Sequence, residues 1–142
     1  MHLVLRSTQA KNQWRFLRFE SEIQQLITKF ANKNYIHIIS VANVGNHLHI
    51  HLRVRGRHYF KAFIRALTAA IMMRVTGFNR WNPAPKGFRF WDNRTFTRII
   101  STCKEFLNLK AYIEVNQWEG LGYSKDVSGH LRRIGAISAG AG

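Results

Sequence analysis

Asn46-His47-Leu48-His49-Ile50-His51-Leu52-Arg53-Val54-Arg55 alternates without a break. Successive side chains of a strand point to opposite faces, so Leu48, Ile50, Leu52 and Val54 fall on one side. His47, His49, His51, Arg53 and Arg55 fall on the other. Such a strand packs one face and leaves the other cationic, the signature of an antiparallel sheet with unlike faces.

Working outward, His2–Arg6 reads as a first strand, and the polar, basic and aromatic residues 8–18 as a loop or short hairpin. Ser21 and Gln24 have capping-box spacing. After them Ile23, Leu26, Ile27 and Phe30 repeat as the apolar stripe of a helix. Tyr35–Val41 is β-branched and extended, and Asn43–Gly45 reads as a turn. Phe60, Phe63, Ile64, Leu67 and Ile71 mark a second amphipathic helix, closed by Gly77. Both prolines lie in a loop over 78–87. Phe88–Trp91 and Phe96–Ile100 read as short strands around an Asp92-Asn93-Arg94 turn. Thr102 and Glu105 suggest a second capping box, opening a helix through Phe106, Leu109 and Ile113 that Gly120 and Gly122 end. Helices interleaved with hairpins predict an α+β fold, a central antiparallel sheet covered on one face. The His and Arg face stays open unless a helix partly covers it. One domain over 1–133 is expected, with a disordered tail over 134–142.

Lys and Arg number 22 against 7 Asp and Glu, a net charge of +15. That surplus calls for a polyanionic partner, and nucleic acid fits better than a membrane surface. The apolar run Leu67–Met73 is too short to span a bilayer. The start shows no secretory signal, and the lone Cys103 excludes an intrachain disulfide, so a cytoplasmic setting is expected. Carboxylates are too few and scattered for a site built on three or four of them.

Phosphate chemistry should therefore rest on histidine and tyrosine. Two imidazoles at i and i+2 on a strand stand roughly 7 Å apart along the chain, near enough to converge on one ion. Strand parity alone leaves His47/His49 and His49/His51 equally eligible. Tyr112 and Asn116 share a helix face at i and i+4. A tyrosine oxygen can attack phosphorus and form a covalent intermediate. Its pKa of about 10 in water calls for a nearby cation or base, a part open to Arg53 or Arg55. Trp14-Arg15-Phe16-Leu17-Arg18 and the stretch from Arg80-Trp81 to Arg89-Phe90-Trp91 mix aromatic and basic residues. Aromatic faces stack on unpaired bases while cations track phosphates. Trp14 and Trp81, in polar loops, are the better stacking candidates, with Arg15, Arg18, Arg80 and Arg89 on the backbone. Phe88 and Phe90 read as core.

Asn46-His47-Leu48-His49 together with Tyr112-Ile113-x-x-Asn116 resembles the HUH single-tyrosine transposases, and within them the REP-associated tyrosine transposase branch. His2-Leu3-Val4-Leu5-Arg6 is similar to that family's first strand, and Arg89-Phe90-Trp91-Asp92 to the stretch before its last helix. The resemblance covers roughly residues 1–122. Val44-Gly45 stands where the family has Met-Pro, and Gln117 where it has Pro. Relatives have a short lead-in before the first strand, so a trimmed start is expected.

The resemblance implies a ferredoxin/RRM-like palm and a divalent metal, Mg²⁺ or Mn²⁺, held by His47, His49 and Asn116. It implies Tyr112 as nucleophile on single-stranded DNA near a hairpin, giving a 5′-phosphotyrosine and a free 3′-hydroxyl, with strand transfer to follow. The acting form would be a monomer or a homodimer. The competing reading is a non-catalytic or domesticated protein that binds repeated hairpins. It accounts for the charge but not for Tyr112 and Asn116 beside the His pair. Tyr123 is the runner-up nucleophile.

Overall fold

In the computed structural model, residues 1–92, 96–98 and 103–120 are described. In chain order they form β1 (His2–Arg6), α1 (Glu20–Lys33), β2 (His37–Asn43), β3 (His47–Arg53), α2 (Arg57–Thr76), β4 (Phe96–Arg98) and α3 (Cys103–Gly120). The strands make one antiparallel sheet in the order β2-β3-β1-β4. This is the α+β architecture expected, with the histidine strand inside.

The apolar side of β3 does what its alternation requires. Leu48, Ile50 and Leu52 are fully buried, as are Leu3 and Leu5 of β1. Ile23 and Ile27 of α1 and Phe63, Leu67 and Ile71 of α2 close over them in the main core. Each such side chain contributes about 1.5–3 kcal/mol on burial. Gly77 ends α2 at φ 77°, its N–H bonding the Met73 carbonyl. That left-handed conformation is one glycine adopts without penalty.

Several local expectations are corrected. The Ser21 capping box does not form, because α1 starts earlier, after Phe19, with no side-chain cap. Residues 8–18 are not a loose loop. Short 3-10 turns at Asn12–Trp14 and Phe16–Phe19 tuck Phe16 wholly into the core. Tyr35 is not strand. It occupies the position just past α1 at φ 55°, where the Ile36 N–H reaches back to the Ala31 carbonyl. Phe88–Trp91 is not strand either. Phe90 is buried, and its carbonyl accepts from the Ser7 hydroxyl, which ties the segment to the end of β1 without a ladder. The turn at 93–95, Thr102, Gly122, Tyr123 and the tail 134–142 lie outside the described residues.

The second face of the sheet is partly covered by a helix, the condition under which it does not stay open. α3 lies across it on its β2–β3 side. A separate small core of Ala42, Leu109 and Ile113 holds the helix there. Ala42 pairs with His49 in register, and its short side chain lets the helix approach the strands. His49 and His51 are consequently buried, 4% and 1% exposed.

Candidate active site

Strand register assembles the site. β1 pairs with β3 so that Arg6 faces His47, Val4 faces His49 and His2 faces His51. All six side chains share the face under α3, since residues opposite one another across a ladder point the same way. The rings of His47 and His49 are 4.8 Å apart between centroids. Tyr112 of α3 stands edge-on to His49 at 5.4 Å and to His2 at 6.2 Å. Half of Tyr112 is open to solvent, 51% exposed, so a polymeric substrate can reach it. Asn116 shares its helix flank, while Glu114 is turned about 200° from Tyr112 around the axis and does not join the set.

The hydrogen bonds determine which nitrogens are available. His47 Nδ1 lies 2.6 Å from Asn46 Oδ1. An amide oxygen only accepts, so Nδ1 carries the proton and Nε2 keeps its lone pair. His49 Nδ1 lies 3.1 Å from Nε2 of His2. The other nitrogen of His49, Nε2, is buried with no hydrogen-bond partner among the described residues. Asn116 Nδ2 donates to the Tyr112 carbonyl at 2.8 Å, which pins the amide and leaves Oδ1 as its acceptor end.

Burial holds both histidines neutral. The pKa of His49 falls to about 4, first through burial, then through His47 and His2. That of His47 is lowered by burial and then by Arg6. A neutral imidazole with a free lone pair is the form that binds metal. No group of three His, Cys, Asp or Glu side chains among the described residues is set to hold an ion. Two imidazoles and an amide oxygen nonetheless fit a divalent ion with positions left for water and phosphate.

The same shift has a stability consequence. The unfolded chain takes up protons on this histidine near pH 6.5, whereas the fold resists them down to about 4. Stability is therefore complete above the higher value and is lost as pH falls between the two. Urea midpoints of metal-free protein should drop steadily over that window. A flat profile would show that His49 is not buried as described.

The other candidate residues scatter. Arg53, the last residue of β3, and Arg55, just past it, are exposed at the end of the strand far from His47, with Arg55 5.9 Å above the Tyr35 ring. Arg15, Arg18, Arg80 and Arg89 are exposed. Trp81 is 85% exposed, with the Arg80 guanidinium over its ring at 5.3 Å. Trp14 is corrected: it packs edge-on against Phe78 and Phe88, each at 5.9 Å, and its place is in the packing. Two residues went unread as parts of the site, His2 and Arg6. Alternation in His2-Leu3-Val4-Leu5-Arg6 holds them on one face, but only the pairing register brings that face to His47 and His49.

Comparison with characterised proteins by sequence finds no match. Among solved structures, one described as a REP-associated tyrosine transposase bound to a REP hairpin superposes with a TM-score of 0.67 at 16% identity. The match covers 87% of this chain and 68% of that one, and at this identity it speaks for the fold. A sequence model of the IS200-like transposases matches residues 1–116, a span that takes in the histidine strand, Tyr112 and Asn116, and the chain belongs to that family.

Proposed function

We propose that this protein cleaves and rejoins single-stranded DNA beside hairpins through a covalent tyrosine intermediate, acting in the cytoplasm. The observation that carries the reading is Tyr112 standing edge-on over His49, whose buried Nε2 has no hydrogen-bond partner among the described residues. A divalent ion, Mg²⁺ or Mn²⁺, held by His47, His49 and Asn116 would polarise the scissile phosphate. The Tyr112 oxygen bonds to phosphorus as the bond to the 3′ oxygen breaks. The phenolic proton leaves to solvent, and the departing 3′ oxygen takes one up. One phosphodiester is exchanged for another, so the 5′-phosphotyrosine keeps the bond energy for rejoining. A second 3′-hydroxyl then attacks phosphorus and frees Tyr112. Arg6, opposite His47 in the ladder and 3.9 Å from Asp92, would offset charge on the phosphate. Exposed cations and the Trp81 face would hold the flanking strand.

Incubation with hairpin-bearing single-stranded DNA and Mn²⁺ tests this directly. An adduct that survives sodium dodecyl sulfate is expected, together with a fragment ending in a 3′-hydroxyl. Tight binding with no adduct would favour the alternative, a protein that recognises repeated hairpins without cutting them.

A further inference from the structure

His2 is a positioning residue: we infer that its Nε2 accepts the Nδ1 proton of His49 and so presents the His49 Nε2 lone pair to the metal. The inference rests on the metal reading above. It assigns a task to a histidine that is not itself a ligand.

His2 and His49 are diagonal neighbours across the β1–β3 ladder, since His2 pairs with His51 and Val4 with His49. Their rings stack at 5.4 Å with only 24° between planes, and the nitrogens meet at 3.1 Å in a buried contact. A neutral imidazole has one N–H and one lone pair. Of two imidazoles joined nitrogen to nitrogen, one donates. If His2 donated, the His49 proton would sit on Nε2, buried among groups that offer it no acceptor. That leaves a buried donor unsatisfied and leaves no lone pair for an ion. If His49 donates, Nδ1 is satisfied and the buried Nε2 keeps a bare lone pair. An ion satisfies that lone pair, and nothing else among the described residues does.

The neighbouring ligand candidate is built the same way. His47 donates its Nδ1 proton to Asn46 and keeps Nε2 free. Each imidazole thus has a supporting acceptor behind it, the Asn46 oxygen in one case and the His2 nitrogen in the other. Partners of this kind fix the tautomer and ring orientation of metal-bound histidines. The two ring nitrogens of His49 point apart, so His2 sits behind the ligand, away from the ion. His2 also meets the Tyr112 ring edge-on, at 6.2 Å.

Two variants separate hydrogen bonding from packing. His2→Phe keeps a flat ring for stacking but has no acceptor, whereas His2→Gln loses the ring and restores an acceptor oxygen. Nitrogen NMR of the metal-free protein should show His49 protonated on Nδ1 in the wild type and in His2→Gln. In His2→Phe the proton should move toward Nε2. Free-Mn²⁺ electron paramagnetic resonance should then show affinity reduced about 10–100-fold in His2→Phe, with most of the loss recovered in His2→Gln. Hairpin binding without metal should be unchanged in both. An Nε2-protonated His49 in the wild type overturns the inference, as does a His2→Phe protein that binds Mn²⁺ within about twofold of wild type. A His2→Gln protein as weak as His2→Phe also overturns it, because the ring rather than the acceptor would then matter. If the tautomers behave as expected but the wild type binds no Mn²⁺, the metal reading fails and takes the assigned purpose of His2 with it.

Discussion

Tyr112→Phe should abolish the covalent adduct at every time point, metal concentration and pH. The change deletes one oxygen from a ring that is 51% exposed. Its edge contacts with His49 and His2 involve the ring and survive in phenylalanine. Folding stability should therefore stay within about 0.5 kcal/mol, as for surface changes that break no buried partner. Hairpin affinity should hold as well, because it derives mainly from phosphate contacts. Tyr35 and Tyr59 pack on each other at 5.2 Å, and Tyr59 packs on His58. Mass spectrometry of trapped wild-type adduct should find the nucleotide on Tyr112. A nucleotide on Tyr123, or an adduct that persists in the variant, refutes the mechanism.

His49→Ala is expected to have the next largest effect. It removes a proposed metal ligand and the ring against which Tyr112 rests, and together these should slow cleavage on the order of 10³-fold, equivalent to several kcal/mol of lost transition-state stabilisation. His47→Ala should act similarly. His51→Ala should be milder, within about tenfold by the same arithmetic, because His51 sits one step further along β3, under Lys110. The distinction rests on geometry, since Tyr112 contacts the rings of His49 and His2. Single-turnover cleavage with saturating Mn²⁺ measures all three. If His51→Ala matched His49→Ala while His47→Ala cut normally, the ligand pair would be His49 and His51.

The histidine strand was legible because period-two alternation is a local property that needs no knowledge of neighbours. The helix over that face was harder to read. α3 is anchored by Leu109 and Ile113 on one small alanine, Ala42, too narrow a stripe to announce where it docks. Trp14 was misplaced for a related reason. A run of basic and polar residues reads as loop, yet Phe16 drives it into the core and carries Trp14 along. His2 needed a register between strands more than forty residues apart, and no local pattern encodes that. The HUH resemblance supplied what periodicity could not, a preference for His47/His49 and a partner in Tyr112. It did not extend to the residue behind His49.

The candidate site draws on residues 2, 49 and 112, and Tyr112 lies on the last described helix, outside the main core. During synthesis the strands that carry the histidines therefore emerge well before the tyrosine. At about 5–20 residues per second, the interval between His49 and Tyr112 lasts roughly 3–13 s. Throughout it the nascent chain holds the histidine pair and much of its positive charge without a means of breaking a strand. Premature termination before α3 has the same outcome, so under the proposed mechanism a chain that ends before Tyr112 can bind DNA but not cut it.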